Sequence, residues 1–136
     1  MVERIGPEEG RLLAQDEFKR AVDELKAAKV LHESGFYYKS VASAYYAVYH
    51  AAKAALLFKG VVPQSHEGVE RMFSLYYVKT KDIEINTGKI IGRLMKLREE
   101  ADYYTESSFS SDESTDAIEK AEIFVTKIKE AILHSA

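Results

Sequence analysis

The sequence predicts an all-α protein, an up-and-down antiparallel bundle of four to five helices. Three observations lead there. Apolar residues recur at three- and four-residue spacing in one segment after another, the pattern of amphipathic helices. No segment alternates with the period of two that a half-buried strand shows. The connectors are short and marked by Gly or Pro, which makes successive helices antiparallel neighbours. At 136 residues, 46% of them hydrophobic and 30% charged, the chain suffices for one domain with a core and is too short for two. A single domain over residues 1–136 is expected, frayed at 1–7.

The first helix opens at Pro7-Glu8-Glu9, with Pro in the first turn and acids at the positive end of the helix dipole. Leu13, Phe18, Ala21, Leu25 and Ala28 form its apolar stripe, and Ser34-Gly35 ends it with a left-handed cap. The second helix runs from Phe36 to Phe58-Lys59 and stops at Gly60, after which Pro63 blocks any continuation. Ser65 is a natural N-cap for a third helix, SHEGVERMFSLYYVKT, in which Val69, Met72, Phe73 and Tyr76 share a face. Lys79 to Ile85 reads as a charged loop, and Asn86 or Thr87 as the cap of a fourth helix carrying Ile90, Leu94, Leu97 and Ala101 on one side. Residues 105–112, TESSFSSD, lack helical pattern and are expected to be a mobile loop. The last helix, from about Glu113 to His134, repeats Ala117, Ala121, Phe124, Ile128 and Ile132.

The second helix holds the chemistry. Val41, Ala44, Val48, Ala51, Ala52 and Ala55 give it a side of small apolar residues suited to close helix contact. Lys39, Ser43, Tyr46, His50 and Lys53 form a second stripe with a hydroxyl, a phenol, an imidazole and two ammonium groups. An imidazole there can move protons near neutral pH. It can equally be an interface histidine hydrogen-bonded to a tyrosine or carboxylate. Tyr45, Tyr46 and Tyr49 read first as helix-interface or dimer-interface residues and second as base-stacking groups.

Several classes are excluded or disfavoured. Without cysteine there is neither a disulfide framework nor a thiolate metal site, and no two histidines share a ligand-like spacing with a carboxylate. No metal and no cofactor is expected. No apolar run approaches the roughly 20 residues that span a bilayer, and the N-terminus lacks a signal-peptide pattern. A cytoplasmic protein with no membrane association is the expectation. A net charge of −3 speaks against coating DNA, because non-specific affinity comes from neutralised phosphates.

Three segments, in order and on the expected helices, resemble the HEPN family, in particular its small stand-alone branch. They are AYYAVYHAAKAALLFKG (44–60), SHEGV (65–69) with YVKT following, and GRLMKLREEADY (92–103). The resemblance implies a helical bundle that commonly forms a homodimer and is often partnered by a minimal nucleotidyltransferase as a toxin–antitoxin pair. Active members resemble metal-independent ribonucleases, with an Arg and a His on one helix, the Arg in this branch seven residues before the His. His50 fits the His position, but Ser43 stands where the Arg belongs. Serine is neutral and short, and loss of one charge-stabilising group typically costs about 100- to 1,000-fold in rate. The resemblance therefore implies an interaction module with weak or no catalysis. Alternatives are a metal-independent endoribonuclease using His50, with Lys39 or Lys53 as substitute cation, and a nucleotide-binding bundle using the groove beside Ser43, Tyr46 and His50. Arg98 and Asp102 read as an ordinary ion pair four residues apart, while a further reading has Arg93 or Arg98 reaching the His50 groove from the neighbouring helix.

Overall fold

Pro7 and the acids Glu8 and Glu9 stand in the first turn of α1 (Pro7–Glu33), as the dipole and the missing proline N–H favour. In the computed structural model, which describes residues 3–103 and 109–134, four more helices follow: α2 (Tyr37–Phe58), α3 (His66–Phe73), α4 (Ile85–Tyr103) and α5 (Ser111–His134). The α1–α2 turn has Gly35 at φ 83°, the left-handed conformation expected there.

Side-chain pairings give the directions. Gly10 lies beside the Leu57 carbonyl, and the Ser40 hydroxyl donates to the Ala28 carbonyl at 2.7 Å, so α1 and α2 are antiparallel. His32 Nδ1 meets Ser114 Oγ at 2.9 Å and Lys29 meets Glu122 at 3.4 Å, which sets α5 antiparallel to α1. Arg93, Leu97 and Glu100 share a cleft with Glu113 and Asp116, while Thr87 shares one with Lys127 and Ala131, so α4 and α5 are antiparallel as well. The arrangement is the expected up-and-down bundle, with α2 touching every other helix. Val41, Ala44, Val48, Ala51, Ala52 and Ala55 are all 0% exposed. So are Tyr45, Ala47, Ala54 and Leu56, so α2 is wrapped around most of its circumference.

The α1–α2 contact is a seam of small side chains. Gly10, Ala14, Ala21 and Ala28 are the buried residues of α1, the alanines one heptad apart and facing the alanine-rich side of α2. A Cβ at Gly10 would stand 2.5 Å from the Leu57 carbonyl oxygen, a distance that only glycine avoids. The large residues sit on the other side of α2, where Phe73, Tyr77, Leu94, Phe124 and Ile128 fill the remaining core.

Four local expectations are corrected. The third helix does not run to Thr80 as α-helix: Ser74–Val78 is a π-helical turn, closed by Lys79 N–H donating to the Ser74 carbonyl at 2.8 Å. The wider turn brings Tyr77 under Phe73 (ring centroids 5.1 Å apart), where its hydroxyl donates to the Ala55 carbonyl. Tyr76 is left half-buried. The fourth helix begins at Ile85 rather than after Asn86 or Thr87, and the fifth begins at Ser111, inside the stretch expected to be a loop. Residues 105–108 of that stretch lie outside the described residues, as do residue 104 and residues 1–2 of the expected frayed start. From Glu3 onward the start is tied down: Glu3–Arg4 (β1) pairs antiparallel with Val61–Val62 (β2), and Ile5 N–H donates to the Gly60 carbonyl at 3.0 Å. Two residues per strand are too few to show as alternation in a sequence.

The seam makes a direct prediction. Gly10→Ala forces a methyl against rigid backbone and is expected to destabilise the fold by about 1–3 kcal/mol in urea unfolding. Gly6→Ala, which meets nothing within 4 Å, is expected to be close to neutral.

Candidate functional site

Close approach along the α1–α2 seam brings Glu17 of α1 beside the polar stripe of α2. His50 Nδ1–H donates to Glu17 Oε2 at 2.8 Å, and Lys53 Nζ reaches Glu17 Oε1 at 3.4 Å. Both oxygens of one carboxylate are thus occupied. The side chains of Glu17 and His50 are only 15% and 16% exposed, and that of Lys53 30%. Burial alone would raise the Glu17 pKa, but the His50 hydrogen bond and the Lys53 charge outweigh it and hold the carboxyl below its ordinary value. With Nδ1 bound to a carboxylate, His50 has its ring orientation fixed and Nε2 left as the nitrogen that can exchange protons.

A second group of rings continues from His50. Tyr49 packs edge-on against His50 (centroids 5.1 Å) and stacks face to face with His66, 4.2 Å apart and within 10° of parallel. His66 is the first residue of α3, placed there by the Ser65 cap, whose hydroxyl accepts from Gly68 N–H at 3.0 Å. His66 is exposed as a residue, but the stacked Tyr49 ring desolvates its imidazole; this partial burial, with the charges of Arg98, His50 and Lys53 adding to the effect, lowers its pKa and favours the neutral form. The Tyr45 hydroxyl and His66 Nδ1 are hydrogen-bonded at 3.2 Å, the phenol donating where the neutral imidazole carries its proton on Nε2. Burial pushes the Tyr45 phenol up to about 12 against the opposing charge of Arg98, so it stays a donor.

The guanidinium of Arg98 lies over Tyr45 and Tyr46, 5.5 and 5.6 Å from their centroids, and its terminal nitrogen pairs with Asp102 at 3.1 Å. Its Nε is buried and, among the described residues, has no hydrogen-bond partner.

Of the residues singled out in the sequence, the fold brings Tyr46, His50, Lys53 and Arg98 into one neighbourhood. Ser43 is half-buried on the same stripe, seven residues and roughly 10 Å along the helix from His50. Lys39 is exposed a further turn away. Arg93 faces α5 instead, in the cleft with Glu113 and Asp116, so only Arg98 approaches from α4. Sequence reasoning passes over Glu17 and gives His66 only a structural place in the first turn of its helix, where the structure puts it. Glu17 lies 33 residues from His50, with nothing local to mark it. His66 carried a signal, its place directly after a capping Ser in the SHEGV segment. Among the described residues no group of three His, Cys, Asp or Glu could hold a metal ion, and no helix is long and apolar enough to cross a membrane.

The sequence matches the family model described as HEPN domain over residues 14–131. The chain belongs to the HEPN domain family. A Methanocaldococcus jannaschii protein provisionally named a toxin is 45% identical over 112 residues, covering 82% of this chain and 83% of its own. Two solved structures resemble the fold. The crystal structure of TT1696 from Thermus thermophilus has a TM-score of 0.75 at 18% identity, covering 87% of this chain and 97% of its own. ST0689, described as an archaeal HEPN homologue, has a TM-score of 0.65 at 17% identity, covering 88% of this HEPN chain and 97% of its own.

The Glu17 pairings predict an acid-limb effect. A carboxyl with a lower pKa folded than unfolded contributes stability that is present above its unfolded value and lost as pH falls through its folded value. Glu17→Gln is therefore expected to cost most stability near neutral pH. Its deficit against the unmodified chain should close as pH drops below the folded Glu17 pKa, as measured by urea unfolding across a pH series.

Proposed function

We propose that this chain is the toxin-side HEPN module of a toxin–antitoxin-type pair. In this reading it forms a homodimer, engages a minimal nucleotidyltransferase partner in the cytoplasm, and meets RNA or a nucleotide through the patch around Tyr49 and His66. It has weak or no catalysis of its own. Family membership and the toxin name of the M. jannaschii relative support the setting.

The catalytic part rests on Glu17. Cleavage by a 2′-hydroxyl needs a proton carrier and a cation free to hold the phosphate as charge builds on it. Lys53, the cation nearest His50 on the stripe, is already paired with Glu17, and Arg98 is paired with Asp102 and packed on two rings. At the position two turns before His50 there is only the neutral Ser43. The proton carrier is oriented while the cations beside it are engaged.

A second reading, a metal-independent ribonuclease, is favoured by one feature: the carboxylate that fixes His50 Nδ1 is the device that holds a general-base imidazole in position.

Labelled cellular RNA incubated without metal separates the two. The unmodified chain is expected to cleave at background, and Ser43→Arg to gain cleavage that disappears when His50→Ala is added. Cleavage by the unmodified chain that falls roughly 100-fold or more in His50→Ala would establish the ribonuclease reading instead.

A further inference from the structure

The charges of this chain are not evenly spread. Residues 99–119 carry eight of its 22 acids and none of its 19 Lys and Arg, so that stretch contributes −8 and the remainder +5 to the net charge of −3. The fold brings the described part of the stretch to one end of the bundle. There α4 ends at Tyr103 and α5 starts at Ser111, and the His32–Ser114 hydrogen bond at 2.9 Å ties in the close of α1. The start of α2 joins them through Tyr37, whose ring centroid lies 5.4 Å from that of His32. Glu99, Glu100, Asp112 and Glu113 are all exposed there. The same end carries uncovered apolar surface: Val30 is 61% exposed, Phe36 51%, Tyr38 46% and Tyr103 81%. Among the described residues these are four of the nine large hydrophobics left exposed, so the end is enriched in them as well as in acids. Arg98 of α4 lies over Tyr45 of α2, and the two helices are antiparallel. Five residues on from Arg98 and seven back from Tyr45, Tyr103 and Tyr38 therefore stand roughly 7–10 Å beyond that contact, at one level.

From this we infer that this end of the bundle is a docking surface for a Lys- and Arg-rich segment of another polypeptide. Carboxylates beside aromatic rings suit such side chains twice over, because the carboxylate pairs with the charge and the ring face attracts the cation. The protein already holds one arginine in this way: Arg98 pairs with Asp102 at 3.1 Å while lying 5.5 and 5.6 Å from the Tyr45 and Tyr46 centroids. On the outside the same two kinds of group stand exposed, on a stretch without a cation of its own. Lys39 in the first turn of α2 is offset by Glu33 in the last turn of α1. The charge also selects among occupants. A second copy docking symmetrically would set this acidic end against itself, and a head-to-tail contact would build rings or filaments rather than a homodimer. Nucleic acid, a polyanion, is repelled. The inference goes beyond the toxin–antitoxin setting and stands whether or not that reading does.

The test uses the full chain and a fluorescein-labelled peptide of repeating Arg and Leu, with the same peptide carrying Glu in place of Arg as control, read by fluorescence anisotropy. The salt is set at about 0.15 M, where charges farther apart than about 8 Å are largely screened. The unmodified chain is expected to bind the Arg peptide, more weakly as salt rises, and not the Glu peptide. Glu99→Lys/Glu100→Lys/Asp112→Lys should weaken binding roughly tenfold or more. Asp16→Lys/Asp23→Lys/Glu130→Lys makes the same change in net charge at exposed positions elsewhere, and should stay within about threefold of the unmodified chain. Tyr103→Ala should weaken binding about 2- to 5-fold through the lost ring face. Thermal unfolding checks that each variant is folded. Equal weakening by the two triple variants, an intact Tyr103→Ala that binds as well as the unmodified chain, or no binding of the Arg peptide would overturn the inference. Self-association of the unmodified chain that the first triple variant abolishes would overturn it too, because a second copy would then cover this end.

Discussion

Everything distinctive about this molecule depends on how closely α1 approaches α2. Ordinary helix pairs in globular proteins lie about 8–10 Å apart, set by the side chains between them. With Gly10, Ala14, Ala21 and Ala28 on one helix and an alanine-rich side on the other, little side chain separates the backbones. Burial of small residues gives less hydrophobic free energy per residue than leucine would, since the gain scales with the apolar area removed from water. The seam offsets this through length, because contacts run from Gly10–Leu57 at one end to Ala28–Ser40 at the other. Its chemical consequence is at the edge, where Glu17 reaches across to His50 and Lys53.

The polar cluster on that edge is a set of shared partners. Glu17 divides its two oxygens between an imidazole and an ammonium. Arg98 divides its guanidinium between an acidic neighbour on its own helix and two tyrosine rings. Tyr45 is the buried anchor of the group: its ring packs in the core, and its hydroxyl, with a pKa pushed up to about 12, orients His66. Each charge has a partner of opposite sign or a ring face, which is the condition for half-buried ionic groups to be tolerated.

Much of this was readable in advance, for reasons that differ by level. Helix existence follows from local periodicity, so the stripes Ala117–Ala121–Phe124–Ile128 on α5 and Val41–Ala44–Val48 on α2 are buried as expected. The Ser65 cap and the Gly35 turn rest on chemistry within a few residues, and both hold. The π-turn at Ser74–Val78 was not legible. What accompanies it is long-range, the fit of Tyr77 under Phe73 with its hydroxyl on the Ala55 carbonyl. The β1–β2 pairing depends likewise on Gly60, at φ 79°, letting the Ile5 carbonyl come within 2.7 Å of where a Cβ would be. On the site, residues of one helix could be grouped by a wheel. Glu17 and the ring contact of His66 could not, because each partner is supplied by another element.

The resemblance puts Ser43 at the position of the family's arginine, and that can be read together with the place Arg98 occupies. Two turns before a histidine, an arginine would project along the same stripe, its fork free to meet two phosphate oxygens. Arg98 brings the same group from α4, but its flat faces cover Tyr45 and Tyr46 and its edge meets Asp102. In that setting burial first, and then the Arg98 charge, favour the neutral form of His66. The positive charge near His50 is committed to partners within the cluster, Lys53 to Glu17 and Arg98 to Asp102 and two rings.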